Sequence, residues 1–184
     1  MRIIAGKYRS RQFAAPAGME TRPTSDRLRE TLFNVASAGL EGSVWLDLFA
    51  GSGAVGIEAL SRGARSVYFV ESASKAAKTI RQNLKSLGIE EGFEVLERDA
   101  ATALRQLDSQ AVVCDFCFLD PPYRELDDYE QVLGFLSQSR LLKPESLVIA
   151  EHDKHFDPGD AFGSLRRQRM LRQGDAVLSF YQLA

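Results

Sequence analysis

The residues with the clearest chemical character are four in a row, Asp120, Pro121, Pro122 and Tyr123, which follow an apolar run at residues 117–119. The run predicts a buried strand that ends where these four residues begin. Because proline has no backbone N–H and a fixed φ, the two prolines form a rigid corner that offers carbonyl oxygens. Asp120 adds a carboxylate, and Tyr123 adds an aromatic face with a polar tip. Such a corner can accept both hydrogens of a planar amino group while the ring stacks on the base that carries it, so these four are the candidate catalytic residues.

A glycine-rich segment stands where an earlier strand, predicted at residues 44–48, turns into a helix. Gly51, Gly53 and Gly56 have the spacing G-x-G-x-x-G. Glu71 ends the following predicted strand, at the position expected of an acid that binds ribose hydroxyls. A match in this strand–turn–helix context predicts a site for a nucleotide-like cofactor.

Acidic residues around this segment discriminate between two cofactors. A dinucleotide would place a pyrophosphate at the helix N-terminus, where Asp47 would repel it in a partly dry site. S-adenosylmethionine has no phosphate and carries an ammonium and a sulfonium, both of which Asp47 attracts. Asp99, at the end of the third predicted strand, could receive the adenine amino group while Glu71 holds the ribose. We therefore expect S-adenosylmethionine and no metal.

The predicted cofactor contacts are Asp47, Phe49, Ala50, Gly51, Ser52, Gly53, Glu71, Asp99 and Ala100.

The elements that must position these residues alternate between strand and helix. A helix capped by Thr24 or Ser25 and ended by Gly39 comes first. Five strands and four helices then alternate, the strands at residues 44–48, 66–70, 93–97, 116–119 and 146–150 and the helices at 54–62, 73–87, 100–107 and 129–137. Residues 165–171 and 177–183 predict an antiparallel hairpin. This order requires an α/β fold with a parallel sheet covered by helices on both faces, and ligands bind such sheets beyond the carboxyl ends of the strands.

Length and composition suit one globular domain. The chain has 184 residues, of which 45% are hydrophobic and 26% charged, enough to bury roughly 70% of its unfolded surface. No stretch approaches the ~20 apolar residues of a membrane span, and the N-terminus lacks the features of a signal peptide. We expect a cytoplasmic monomer with no membrane partner.

Charge is distributed unevenly along the chain. Residues 1–30 hold seven Lys and Arg against three acidic residues, a net charge of +4, whereas the remainder carries −6. A basic arm on an acidic body suits contact with nucleic-acid phosphates. The candidate contacts are Arg2, Lys7, Arg9, Arg11, Arg22 and Arg27. The alternatives are a solvated N-terminus and, for Arg22 and Arg27, a role at the start of the first helix. A second cluster, Arg166, Arg167, Arg169 and Arg172, could be only a charged sheet edge.

Cys114 and Cys117 have C-x-x-C spacing, which invites comparison with a metal site. Residues three apart on one strand face opposite sides of the sheet, so they could not bind one metal ion. His152 and His155 add no pattern of ligands. We expect both cysteines to fill the core.

Taken together, residues 47–53, Glu71, Asp99 and residues 120–123 resemble the successive motifs of class I, Rossmann-like methyltransferases. The Asp-Pro-Pro-Tyr form is similar to that of enzymes that methylate exocyclic amino nitrogens. Beyond these motifs, residues 2–11, 22–34 and 47–64 resemble the bacterial RsmD family, and the resemblance covers essentially the full length.

The resemblance implies a mostly parallel, seven-stranded sheet with a C-terminal antiparallel hairpin, a basic arm at residues 1–24 and a methyltransferase domain at residues 25–184. It also implies transfer of a methyl group from S-adenosylmethionine to N2 of a guanine in 16S ribosomal RNA of the small subunit, guanine 966 by the same resemblance. The basic arm would then contact RNA.

Three alternatives stay open from the residues alone. The corner at residues 120–123 would also suit an enzyme that methylates adenine N6 of DNA or a glutamine amide of a protein. The length of the chain counts against the DNA version, for which we would expect an additional target-recognition domain. A non-catalytic RNA-binding module is disfavoured by the intact corner and glycine segment. A dehydrogenase is disfavoured by Asp47.

Overall fold

A single sheet organises the computed structural model, which describes residues 1–15, 25–122 and 127–184. Its strands are Val44–Leu48 (β1), Ser66–Val70 (β2), Phe93–Leu96 (β3), Cys114–Leu119 (β4), Leu142–Asp153 (β5), Ala161–Phe162 (β6), Leu165–Gln173 (β7) and Ala176–Leu183 (β8). The helices are Asp26–Val35 (α1), Ala54–Ser61 (α2), Ser74–Ser86 (α3), Ala100–Ser109 (α4) and Asp127–Leu136 (α5). None of the helices in the described ranges is long and apolar enough to cross a membrane.

The strands lie in the order β3-β2-β1-β4-β5-β8-β7-β6. The first five are parallel, and β8, β7 and β6 each run antiparallel to the neighbour before them. The predicted α/β fold and C-terminal hairpin are confirmed, with the two-residue β6 added as an eighth strand at the edge. Strand order reverses between β1 and β4, so a crevice opens beyond their carboxyl ends.

Helices cover both faces of the sheet, and every residue of β1 is buried as a result. One apolar layer lies under α1, α2 and α3, where Trp45 stacks on Phe116 at 4.7 Å between ring centroids and contacts Phe33 at 5.1 Å. The other lies under α4 and α5 and includes Leu104 and Leu133. The two layers hold the strand ends, and hence the crevice, in place.

The first helix begins where the sequence predicted but ends earlier. The Ser25 hydroxyl oxygen accepts a hydrogen bond from the Leu28 N–H at 3.2 Å, which is an N-cap. The helix ends at Val35 rather than continuing to Gly39, and turns occupy residues 36–39.

The N-terminal residues 1–15 form a hairpin that packs on the domain. Arg2 and Gln12 are bridged in antiparallel fashion, and Ile3 and Phe13 are buried in the layer under α1–α3. The N–H groups of Ile4 and Ala5 donate to the carboxylate of Glu58 on α2, at 2.8 and 3.0 Å. The described part of the arm therefore shares the core of the sheet.

Gly6 marks the closest approach of the arm to α2. Its φ is +83°, and a Cβ at this position would lie 1.8 Å from the Ser61 carbonyl oxygen. The neighbouring Lys7 N–H donates to that same oxygen at 2.7 Å. Only glycine satisfies both the conformation and the space.

The two cysteines are buried, but the expectation that they face opposite sides of the sheet is wrong. Both belong to the layer under α4 and α5. The register between β4 and β5 shifts between Cys114 and Phe116, and such a bulge inserts a residue and interrupts the alternation of side chains. The Cys114 thiol donates to the Leu141 carbonyl oxygen at 3.2 Å.

Candidate active site

A cavity of about 710 Å³ opens beyond the carboxyl ends of β1, β2 and β4. The structure brings most of the sequence-predicted site residues to its walls, namely Asp47, Phe49, Ala50, Gly51, Ser52, Glu71, Asp99, Ala100, Asp120, Pro121 and Pro122. Gly53 is not among the lining residues, and Tyr123 lies outside the described residues. Four segments distant in sequence therefore border one space.

The loop after β1 has a backbone that few residues can adopt. Phe49, Gly51 and Gly53 have positive φ angles of 61°, 56° and 77°. This conformation costs a bulky residue such as phenylalanine about 1–3 kcal/mol, and strain of this kind is concentrated at functional sites. Gly56 has an ordinary φ, but a Cβ there would lie 2.3 Å from the Phe69 ring. The third glycine of the motif thus permits α2 to pack closely on β2.

Glu71 shapes this loop as well as lining the cavity. Its Oε2 accepts the Gly51 N–H at 2.8 Å, and its Oε1 accepts the Ala73 N–H at 2.8 Å. Each carboxylate oxygen can accept a further hydrogen bond. The predicted contact with ribose hydroxyls is therefore compatible with a structural role that the sequence did not indicate.

Asp47 is almost completely buried, with 2% of its surface exposed. Its Oδ2 accepts the Gly56 N–H at 2.9 Å. The pKa of this carboxyl is raised to about 8, mainly by burial; the Gly56 N–H opposes the shift and the charge of Glu71 contributes to it. A buried carboxyl next to a second acid is suited to a ligand with positive charge.

Asp120 stands directly after β4 and beside a residue that the sequence analysis overlooked. Leu119 pairs with Ala150, which brings Asp120 next to Glu151 on the neighbouring strand β5. Burial raises the pKa of Asp120 well above its usual range, and the charges of Glu151 and Asp47 raise it further. Pro121 is buried and Pro122 exposed. The corner thus presents its acid in a site with an excess of negative charge.

Asp99 closes the opposite side of the cavity at the start of α4. Its Oδ1 accepts the Thr102 N–H at 2.8 Å, so it is the N-cap of this helix. That hydrogen bond is the main cause that lowers the pKa of Asp99. The side chain is exposed and ionised, and the buried Ala100 follows it at the first position of the helix.

The basic residues of the arm have different environments. Arg11 donates to the carbonyl oxygens of Leu87 and Ser86, at 2.6 and 3.0 Å, and so caps the end of α3. Arg2 forms an ion pair with Asp26 at 2.9 Å. All five candidates that the structure describes are exposed, and Lys7, Arg9 and Arg27 form no ion pair or cap of this kind with other described residues. Arg22 lies outside the described residues.

Arg29, which contributed to the positive charge counted for the N-terminal segment, is completely buried. It donates to the Arg2 carbonyl oxygen at 2.9 Å and to the Asp26 carboxylate at 2.7 Å. It therefore ties the arm to α1 and cannot contact RNA.

The second arginine cluster is partly structural. Arg167 is paired with Asp157 at 2.5 Å and also with Asp160, and it holds the segment before β6 against β7. Arg166 donates to the Gly163 carbonyl oxygen at 2.5 Å.

Four residues that sequence reasoning missed also bear on the site, Glu151, Asn83, Arg98 and Arg105. Glu151 follows the apolar run at residues 147–150 just as Asp120 follows the run at 117–119, so the same rule could have found it. Arg98 precedes the N-cap Asp99 directly, and Arg105 follows one turn and a half later on α4. Asn83 has no indication in the sequence, because its three partners lie 31 and 69 residues away.

Comparison with known proteins agrees with this geometry. Residues 1–182 match the family model described as "Conserved hypothetical protein 95". The ribosomal RNA small subunit methyltransferase D of Haemophilus influenzae is 39% identical over 155 residues, which are 84% of this chain and 79% of that protein. The solved structure of yhhF from Escherichia coli superposes with a TM-score of 0.86 at 30% identity, and covers 100% of this chain and 97% of that one.

A more distant structure, SMU.776 complexed with SAH, shares the fold, with a TM-score of 0.67 at 15% identity over 85% of this chain and 48% of that one. The match to the family model spans nearly the whole chain. The protein therefore belongs to the conserved hypothetical protein 95 family, the RsmD family, and has the class I, Rossmann-like methyltransferase fold.

Proposed function

We propose that this protein is an S-adenosylmethionine-dependent ribosomal RNA methyltransferase that modifies N2 of a guanine in 16S RNA of the small subunit. The observation that carries the proposal is that Asp120 and Pro121 border the same cavity as Asp47 and Glu71. An acceptor for an amino group thus lies across one space from a loop suited to a cationic cofactor. Membership of the family supports ribosomal RNA as the substrate.

The residues of the cavity fit the cofactor. When bound, S-adenosylmethionine supplies a methyl group on a positively charged sulfur. Asp47 would provide negative charge for its cationic end when ionised, Glu71 retains acceptor capacity for the ribose hydroxyls, and Asp99 is ionised to accept from the adenine amino group. The φ of +56° at Gly51, with no atom closer than 4.0 Å to a Cβ placed there, leaves the loop open at this point.

Asp120 and the Pro121 carbonyl oxygen would act on the guanine amino group. Its lone pair is delocalised into the ring, which makes N2 a poor nucleophile. Hydrogen bonds donated by the two N–H groups of N2 to these two oxygens would bias N2 toward a tetrahedral shape and direct its lone pair at the methyl carbon. In its ionised form, the Asp120 carboxyl would stabilise the positive charge that develops on N2 as the bond from N2 to the methyl carbon forms and the bond from that carbon to sulfur breaks. The extra proton on N2 then leaves readily, so a strong base is not required.

The base must leave its stack to reach this corner. Tyr123 is expected to stack on it, an interaction worth about 1–3 kcal/mol.

The test is methyl transfer from labelled S-adenosylmethionine to unmethylated small ribosomal subunits and, in parallel, to naked 16S RNA, followed by nucleoside analysis. We expect N2-methylguanosine at a single position, and the better substrate identifies the form of RNA that is recognised. Label in N6-methyladenosine or in protein would contradict the proposed acceptor. Label in neither RNA form, together with tight cofactor binding, would contradict the RNA substrate but not the cofactor.

A further inference from the structure

The charges of the cavity change sign between its interior and the rim formed by α4. Three acids, Asp47, Glu71 and Asp120, face the interior and are buried or half-buried. Arg98, in the loop before α4, and Arg105, on α4, also line the cavity, and both are exposed. This rim also carries the carboxylate of Asp99, which caps α4. The two arginines outnumber this one acid, so the rim formed by the three side chains has a net positive charge.

Neither arginine is committed to the fold. The Arg98 guanidinium donates to the amide oxygen of Gln106, and that of Arg105 donates to the Thr102 hydroxyl at 3.2 Å. Both partners are uncharged, and neither arginine forms an ion pair with any residue in the described ranges. Arg11, Arg29 and Arg167 differ, because each holds other parts of the chain together.

These two cations are ill suited to the proposed cofactor. S-adenosylmethionine has a net positive charge and no phosphate. Its one carboxylate belongs to the amino-acid end, which we expect near Asp47, whereas the two arginines flank Asp99 at the expected adenine end. A strand of RNA presents one negative charge per nucleotide, and contacts from arginine to phosphate position a strand without reading its sequence. The rim is therefore matched to the second substrate rather than to the first.

The other side of the cavity is bordered by the arm. Met1 and Ala15, the two ends of the described hairpin, line the cavity there. RNA that delivers a base into the cavity would thus pass between the arm and the α4 rim. Contacts on only one side would leave the strand free to pivot about the target base.

We propose that Arg98 and Arg105 bind RNA phosphates next to the target nucleotide, on the side of the cavity opposite the arm. This inference rests on the proposed function, because it takes RNA as the substrate. It adds a phosphate-binding surface that lies outside the basic N-terminal segment.

The test is the salt dependence of binding to naked 16S RNA by the protein with S-adenosylhomocysteine bound. Arg98→Gln and Arg105→Gln should each reduce the magnitude of the slope of log affinity against log salt concentration by about 0.7. Between 1 M and 0.1 M salt, each variant should therefore gain about fivefold less in affinity than wild type does. The double variant should lose about twice that slope. Arg98→Lys and Arg105→Lys should keep most of it, since a phosphate contact needs the charge.

Arg65→Gln is the matched control. Arg65 is exposed and directly precedes β2. It therefore lies beyond the amino ends of the parallel strands, whereas the cavity lies beyond their carboxyl ends. Affinity for S-adenosylhomocysteine should stay within twofold of wild type in all variants.

A salt slope in the double variant equal to that of wild type would overturn the inference. So would a loss of slope in Arg65→Gln as large as that in Arg98→Gln or Arg105→Gln. A parallel loss of S-adenosylhomocysteine affinity would also overturn it, because the arginines would then serve the cofactor. The proposed function is judged separately by the wild-type product, since N2-methylguanosine with an unchanged slope would refute only the role of the rim.

Discussion

Three acids lie close together across adjacent strands: Asp47 in β1, Asp120 directly after β4 and Glu151 in β5. Burial raises the pKa of both Asp47 and Asp120; the charge of Glu71 adds to the shift of Asp47, and the charges of Glu151 and Asp47 add to that of Asp120. Such a group of buried acids destabilises the ligand-free fold and is characteristic of functional sites. A ligand with positive charge relieves the repulsion, which is the reason to expect a cationic cofactor here.

Asp120→Asn should lower the rate of methyl transfer by about 10²–10³, the effect of removing one group that stabilises charge in a transition state. Affinity for S-adenosylhomocysteine should remain within about threefold, because Asp120 is expected to act on the acceptor. Single-turnover transfer and calorimetric titration measure the two quantities. Asp175→Asn, which removes an exposed ion pair with Lys154, is the control. Turnover near wild type would remove Asp120 from the mechanism.

The raised pKa of Asp47 predicts that cofactor binding depends on pH. Below about pH 8 the carboxyl is largely protonated, and above it the group is ionised and attracts a cation. Affinity for S-adenosylmethionine should therefore increase from pH 6 to pH 9, with release of protons that is measurable by calorimetry in buffers of different ionisation enthalpy. Ionisation of Asp120 changes the affinity in the same direction. The test is therefore how much of the pH dependence of affinity is lost in Asp47→Asn. An unchanged pH profile in that variant would contradict the assignment.

The same group makes an opposite contribution to stability. Since its folded pKa lies above the ordinary value of 3.8, the folded state binds the proton more tightly. Its contribution to the free energy of unfolding is complete below about pH 4 and is lost as the pH rises to about 8. Asp47→Asn, whose amide oxygen can still accept the Gly56 N–H, should thus raise Tm at pH 8 while weakening cofactor binding.

At the scale of elements, Asn83 on α3 connects the arm to the cofactor loop. Its amide oxygen accepts the Ala14 N–H at 2.9 Å, and its amide nitrogen donates to the carbonyl oxygens of Ala14 at 2.9 Å and Ser52 at 3.1 Å. The side chain is 2% exposed, so its hydrogen-bonding groups have no access to bulk water. The described arm and the glycine loop are therefore positioned by one amide.

Asn83→Ala should lower Tm by about 4–8 °C, since a loss of about 2 kcal/mol is expected from unpaired buried groups and each kcal/mol corresponds to about 2–4 °C at this size. It should also weaken S-adenosylhomocysteine binding several-fold, because the Ser52 carbonyl loses its partner. Thermal unfolding and titration provide the measurements. Asn34→Ala, at an exposed position of α1, is the control. Equal behaviour of the two variants would show that Asn83 does not position the loop.

At the scale of the whole molecule, the distribution of charge on the surface differs from its distribution along the sequence. Of the basic residues near the N-terminus, Arg29 is buried and Arg11 caps α3. Deleting the arm would remove the buried Ile3 as well as the exposed cations. Point substitutions are for this reason the appropriate test of RNA contact.

The double variant Lys7→Gln and Arg9→Gln should reduce the salt slope of RNA binding by up to about 1.4 if both side chains contact phosphates. Both are exposed, so Tm should change by less than about 2 °C. Filter binding over a range of salt concentrations, with Arg65→Gln as control, measures the slope. A slope equal to that of wild type would exclude Lys7 and Arg9 as the RNA contacts.

Much of the architecture follows from the sequence alone, because it depends on local patterns. Hydrophobic runs with periods of 2 and 3.6 residues predicted most of the elements, and β1 and β2 begin and end at the predicted residues. The glycine spacing marked the loop that has positive φ angles. The rule that ligands bind beyond strand ends then grouped Asp47, Glu71, Asp99 and Asp120 before any contact was known.

Tertiary structure decided what depends on contacts between distant residues. Asp120 lies beside Glu151 because of the register between β4 and β5, and the cysteines share one layer because that register contains a bulge. Whether an arginine is buried like Arg29, used as a cap like Arg11 or exposed at the cavity rim like Arg98 is set by the surfaces that pack around it. Charge and spacing identify these side chains along the chain, but only packing determines which of them reach solvent and which are neutralised within the fold.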